Sequence, residues 1–135
     1  MSRDDQLEAL ATLVVDMPFG LHRDLGPGLL ETAYEIILFE KLRQSGIAVA
    51  RQVPINVQYD GILIENAFKI DLLIANRLVI ELKSVERLNP VHAKQVLTYL
   101  RLMDLPLGLL VNFGQSLFKD GVKRITNGYD AGPRS

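Results

Sequence analysis

The chain has 135 residues, 48% of them hydrophobic and 23% charged, with no cysteine and two histidines. That is the size and composition of one globular domain able to bury roughly two-thirds of its unfolded surface, and it excludes disulfides, thiolate metal sites and cysteine nucleophiles. The net charge of −1 announces no nucleic-acid binder, but it hides an asymmetry: residues 1–40 hold two bases against eight acids, and residues 41–135 hold thirteen against eight. A basic face remains open.

No apolar run reaches the ~18 residues of a membrane span, and the start lacks the basic-then-apolar layout of a signal peptide, so a cytoplasmic protein without membrane contact is expected. From Asp4 to about His22, apolar residues at Leu7, Leu10, Ala11, Val14, Val15 and Phe19 follow the three- and four-residue steps of a one-sided helix, with Pro18 a possible kink. Gly26-Pro27-Gly28 then breaks the chain. Proline suits a first helical position, so a second helix is predicted from there to about Gly46, burying Leu30, Tyr34, Ile37 and Leu38.

From Ile47 the period becomes two. Val49, Val53, Ile55, Val57 and Tyr59 alternate with Ala50, Gln52, Pro54, Asn56 and Gln58, a strand with one wet face. Asp60-Gly61 signals a hairpin, with the return strand beginning near Ile62. Residues 67–75 and 78–84 read as two further strands, doubly buried, around a turn at Asn76. Asn89-Pro90 opens a third helix to about Met103, with Asn89 as cap and Ala93, Val96, Leu97, Leu100 and Met103 inward. Leu107–Phe113 is a buried strand and residues 117–126 a short edge strand. The expected domain spans residues 1–129, with a frayed tail at 130–135. The fold class is α/β, a mixed sheet flanked by helices in the order ααβββαβ.

Three charges stand where a buried strand should have none: Asp71, Glu81 and Lys83. An unpaired carboxylate is costly to bury, so each needs a cation, a partner or water. Glu81 and Lys83, two apart, project from one face. A two-residue loop at Asn76-Arg77 would oppose Asp71 to Leu82, whereas the three-residue loop Ala75-Asn76-Arg77 pairs Ile74 with Leu78 and therefore Asp71 with Glu81. Two adjacent carboxylates raise each other's pKa until a cation neutralises them, and hard divalent ions favour such oxygens. The plain alternative is pairing with Lys83 or Lys69 at a sheet edge.

Asp71, Glu81 and Lys83 in strand context resemble the signature of the PD-(D/E)XK nuclease superfamily, and Gly28-Leu29-Leu30-Glu31-Thr32-Ala33-Tyr34 resembles the motif of its GxxExxY family. Leu21–Gly28, Arg51-Gln52-Val53-Pro54, Glu81-Leu82-Lys83-Ser84 and Gln95–Leu100 match in the same order, covering about residues 10–129. The resemblance implies a restriction-endonuclease-like core and a Mg²⁺- or Mn²⁺-dependent nuclease acting on DNA, with RNA as the second candidate. It implies that Asp71 and Glu81 hold the metal with the backbone carbonyl of Leu82, and that Lys83 orients the attacking water and stabilises the transition-state charge. Glu31 resembles the helix-borne acid that joins the metal site, the alternative being a first-turn glutamate favoured by the helix dipole. Gln95 resembles the glutamine on the following helix, a phosphate or water ligand. His92, Gln95 and Tyr99 share one helix face, and all five polar site residues are expected in one cleft.

Tyr99 can stack or hydrogen-bond near the site, although for Tyr99 and Tyr34 a half-buried ring with a satisfied hydroxyl is the plainer reading. His92 reads as a surface residue near a helix start and His22 as structural. Lys69, Arg77, Lys94 and Arg101 are candidate phosphate contacts. With no base-reading module, specificity would come from nucleic-acid structure, from ends, or from a second copy or protein partner. The competing reading is a non-catalytic module that keeps the fold to bind nucleic acid or protein.

Overall fold

The computed structural model describes residues 3–116 and 121–128; the tail at 130–135 and the first residues of the predicted 117–126 strand lie outside this set. Helices α1 (Arg3–Leu25) and α2 (Glu31–Gln44) precede strands β1 (Val49–Tyr59), β2 (Ile62–Ile74) and β3 (Leu78–Lys83). Helix α3 (Pro90–Met103) leads to β4 (Leu107–Asn112) and β5 (Val122–Thr126). The five strands form one sheet in sequence order, antiparallel except for β3 and β4, which run parallel because α3 carries the chain over between them. This is the mixed sheet flanked by helices that the sequence predicts. No helix among the described residues is long and apolar enough to cross a membrane.

The sheet is covered on both faces. Leu7, Ala11, Val14 and Leu21 of α1 and Tyr34, Leu38 and Leu42 of α2 pack on Leu72, Ile74, Leu78, Ile80 and Leu82. On the other face Val96 and Leu100 of α3 pack on Ile70, Leu73 and Val79. The approach of α3 is close: a Cβ on Gly108 of β4 would stand 2.7 Å from Cγ1 of Val96.

Local chemistry sets the boundaries. Helix α1 continues through Pro18 to Leu25, so one lost i→i−4 bond yields to the burial of its apolar stripe. Gly26, at φ 73°, ends it in the left-handed conformation, its N–H donating to the His22 carbonyl at 2.8 Å. Pro27 does not start α2 as predicted: residues 26–30 form a linker, and Leu30 caps the helix with its side chain 81% exposed instead of buried. The linker is fixed by Tyr34, whose buried hydroxyl donates to the Gly26 carbonyl and accepts from Leu29 N–H at 3.2 Å. Its ring stacks on Phe113 with centroids 4.0 Å apart. At the hairpin Asp60 and Gly61 both have positive φ, as a two-residue turn between twisted strands demands. The predicted strand at Ile62 and that at 67–75 are one strand, β2. Asn89 and His92 cap α3 reciprocally: the Asn89 side chain accepts from Val91 N–H at 3.0 Å, and His92 Nδ1 accepts from Asn89 N–H at 3.2 Å. His22 is structural, its Nε2 lying 2.6 Å from the Gln115 carbonyl.

The hairpin β1–β2 departs from the simple alternation predicted for it. Val49 packs toward α1 and α2, as do Leu72 and Ile74 opposite, but Val53, Ile55, Phe68 and Ile70 pack toward α3. The facing of side chains therefore reverses at one row of the ladder, between Arg51↔Leu72 and Val53↔Ile70. The residues of that row are Gln52, at φ 52°, and Asp71.

Candidate active site

The turn Ala75-Asn76-Arg77 is three residues long, with Ile74 paired to Leu78 and Leu72 to Ile80. The next row brings Asp71 opposite Glu81. There the β2–β3 ladder ends, and the strands part into a fork. A side chain replaces the missing ladder bond: Leu82 N–H donates to Asp71 Oδ2 at 2.8 Å, while Glu81 Oε1 lies 3.4 Å from Asp71 N. The two carboxylates occupy one fork.

Leu82 contributes its backbone. The Lys83 carbonyl accepts from Phe113 N–H at 2.8 Å on the β4 side. Backbone groups of successive strand residues point to opposite edges, so the N–H and carbonyl of Leu82 both face the Asp71 side. The loop after Lys83 is clamped by Asn112, buried beneath it: Oδ1 accepts from Val85 N–H and Gly114 N–H, each at 3.0 Å, and Nδ2 donates to the Val85 carbonyl at 2.8 Å. Ser84 Oγ donates to the Leu29 carbonyl at 3.1 Å, tying the end of β3 to the linker before α2.

The electrostatics follow from burial. Glu81 is 8% exposed, and loss of water together with the Asp71 charge pushes its carboxyl up to about 8. Burial also raises Asp71, helped by the Glu31 charge and opposed by the Leu82 N–H, by Gln52 and by Lys83. Lys83 lies close enough to lower both carboxylates. Tyr99, stacked on Phe68 at 4.2 Å, has its hydroxyl raised by burial and by the charges of Glu81 and Asp71, which places it beside the fork on the α3 side.

Of the five polar residues expected in one cleft, Asp71, Glu81 and Lys83 are together, and Glu31 is near enough for its charge to act on Asp71. Gln95 is exposed one turn before Tyr99 and takes no part in the hydrogen bonds joining the carboxylates. Among the described residues no group of three or more His, Asp or Glu side chains gathers closely enough to hold a metal. Glu31, exposed in the first residue of α2, thus adds charge to the pair without closing a three-carboxylate cluster. Lys69, Lys94 and Arg101 are exposed.

A further acid, Glu35 of α2, joins the site from beyond the predicted set. It is 4% exposed and takes Arg51 Nε at 3.0 Å and Gln52 Nε2 at 2.6 Å. Gln52 Nε2 also reaches Asp71 Oδ1 at 3.3 Å.

A hard divalent cation fits this fork. The donors are all oxygen, and Mg²⁺ keeps several waters and needs only one or two carboxylates. Two carboxylates so close that one resists ionisation, with a backbone carbonyl turned toward them, are the arrangement a cation relieves.

The chain is thus a mixed sheet between helices that carries two carboxylates where β2 and β3 part. The family model of the PD-(D/E)XK nuclease superfamily matches residues 8–125, and the chain belongs to that superfamily. It is similar in fold to the crystal structure of SSO0001, with a TM-score of 0.53 and 20% identity over 75% of this chain and 52% of that one. The chain thus spans about half the length of that protein. No curated protein matches it.

Proposed function

We propose that this chain is a Mg²⁺-dependent nuclease of the GxxExxY branch, hydrolysing phosphodiester bonds of nucleic acid, with DNA the first candidate substrate and RNA the second. The observation that carries the reading is the fork, with Asp71 and Glu81 side by side, Leu82 turned toward them and Lys83 on the face of Glu81. Held by Asp71, Glu81 and the Leu82 carbonyl, a divalent cation would act as a Lewis acid toward a phosphoryl oxygen and would acidify water. The protein does the rest. The Leu82 N–H holds Asp71 in one orientation, so a ligand oxygen costs no reorganisation at the moment of reaction. Lys83 aligns the water that attacks phosphorus and offsets the negative charge gathering on its oxygens as the leaving ester oxygen departs. No protein nucleophile is required.

Lys69, exposed on β2 two residues before Asp71, and Lys94, exposed on α3, are offered as backbone contacts for the polyanion. Net charge −1 leaves little non-specific attraction, so nucleic-acid ends, an unusual structure, a second copy or a protein partner supply the specificity.

The test is incubation of the purified protein with single- and double-stranded DNA and RNA, with Mg²⁺, with Mn²⁺ and with chelator, beside Glu81→Ala. Cleavage that requires metal and vanishes in the variant supports the proposal. Binding without cleavage by the wild type under all of these conditions overturns it in favour of a non-catalytic module.

A further inference from the structure

Gln52 is the residue of β1 whose backbone departs furthest from what its neighbours dictate. In a regular strand consecutive side chains point to opposite faces. Arg51 and Gln52 are consecutive, yet both side chains end on the carboxylate of Glu35, Arg51 Nη2 at 2.9 Å from Oε2 and Gln52 Nε2 at 2.6 Å from Oε1. The left-handed φ of 52° at Gln52 makes this possible. That conformation is unfavourable for a residue with a Cβ, and glutamine's long side chain gives no local hydrogen bond that would excuse it as in asparagine or aspartate. A strained residue persists only where its surroundings hold it.

Glu35 is what holds it. Buried on α2 and fixed from one side by Arg51, it fixes which end of the Gln52 amide points inward. Gln52 Nε2 donates to Glu35 Oε1 and to Asp71 Oδ1, so the NH₂ group of the amide faces both carboxyl groups. The same inversion of the chain carries Asp71 to the row where side-chain facing reverses, beyond the last β2–β3 pair.

We infer that Gln52 is a positioning residue for the proposed metal site: held by Glu35, its amide keeps Asp71 Oδ1 in place while Leu82 N–H keeps Oδ2. This rests on the nuclease reading above. Groups that orient a metal-binding carboxylate without touching the metal typically change affinity by 10–100-fold when removed.

The experiment is calorimetric titration of wild type, Gln52→Ala and Gln52→Gly with Mn²⁺, alongside melting of each in chelator. Glycine at 52 accepts the left-handed backbone, so Gln52→Gly should melt in chelator no lower than Gln52→Ala. Both should bind Mn²⁺ at least about tenfold more weakly than wild type, and by similar factors. A Gln52→Gly protein that melts at the wild-type temperature but binds Mn²⁺ weakly separates positioning from folding. Wild-type affinity in both variants overturns the inference and leaves the nuclease reading intact. A wild type that takes up no Mn²⁺ overturns both.

Discussion

The amide of Leu82 donates to Oδ2 of Asp71 at 2.8 Å, so that a side chain occupies the place a ladder carbonyl would hold if β2 and β3 stayed paired. Asp71 is thereby at once the last structural link between the two strands and the first residue of the fork. Its replacement touches both roles.

Metal binding should appear as stability. A ligand of the folded state stabilises by RT ln(1 + [L]/Kd), about 2.7 kcal/mol at a hundredfold excess, which raises Tm by several degrees in a domain of this size. Asp71→Ala and Glu81→Ala should abolish the Mg²⁺-dependent rise. Lys83→Ala should keep it while losing cleavage, because the ammonium acts on water and transition-state charge. Differential scanning fluorimetry with a parallel cleavage assay distinguishes the three, and a Lys83→Ala protein that loses its metal response would contradict the division of roles.

The pH dependence has a definite sign. The Glu81 carboxyl stands at about 8 in the folded chain against an ordinary 4.5, so between these values the folded state holds a proton that the unfolded state has released. Unfolding free energy from this group is therefore undiminished below about pH 4.5 and falls as pH rises toward about 8. Asp71, also raised, adds a fall of the same sign. Denaturant unfolding of metal-free wild type should show this decline, and Glu81→Gln should flatten it. Saturating Mg²⁺ should flatten it too, since the cation competes with the proton. A wild-type curve no steeper than that of Glu81→Gln would show that Glu81 ionises normally.

Tyr34→Phe keeps the ring stacked on Phe113 but removes the hydroxyl shared by Gly26 and Leu29. Because the Gly26 and Leu29 backbone groups are only part-buried, losing these hydrogen bonds should cost about 1 kcal/mol. The specific signature is faster amide exchange at residues 26–30, with the core strands unchanged. Because Leu29 also accepts from Ser84, a loosened linker should lower cleavage modestly without altering the residues of the fork.

Much of this was legible in the sequence where the signal is local. The change of period at Ile47, the Asp60-Gly61 turn and the Asn89 cap each depend on a few neighbouring residues, and each element lies where they place it. The residues around Asn76 allow a two- or a three-residue loop, and only the expected pairing of Asp71 with Glu81 selected the three-residue loop Ala75-Asn76-Arg77 that the strands form. What escaped depends on partners distant in sequence. Nothing in Arg51-Gln52-Val53 marks a left-handed residue, because glutamine is not a turn former; Glu35 on another element stabilises it. The buried position of Glu35 was equally hidden, since a helix glutamate ordinarily faces water and here is sheltered only once Arg51 arrives. Leu30 failed for the reverse reason: its helical spacing is apolar, but Tyr34 anchors the linker and leaves Leu30 outside the first turn.

The inversion at Gln52 also bears on how copies of the chain behave toward one another. Among the described residues β1 pairs on one side only, with β2, and an open strand of this length is a template on which another strand can grow into fibres. Along that edge the backbone is left-handed at Gln52, Pro54 has no N–H to offer, and the register breaks between Ile55 and Val57. Three interruptions within six residues deny an incoming strand any regular row of donors and acceptors, so the distortion that aims an amide at Asp71 also guards the sheet against edge-to-edge polymerisation.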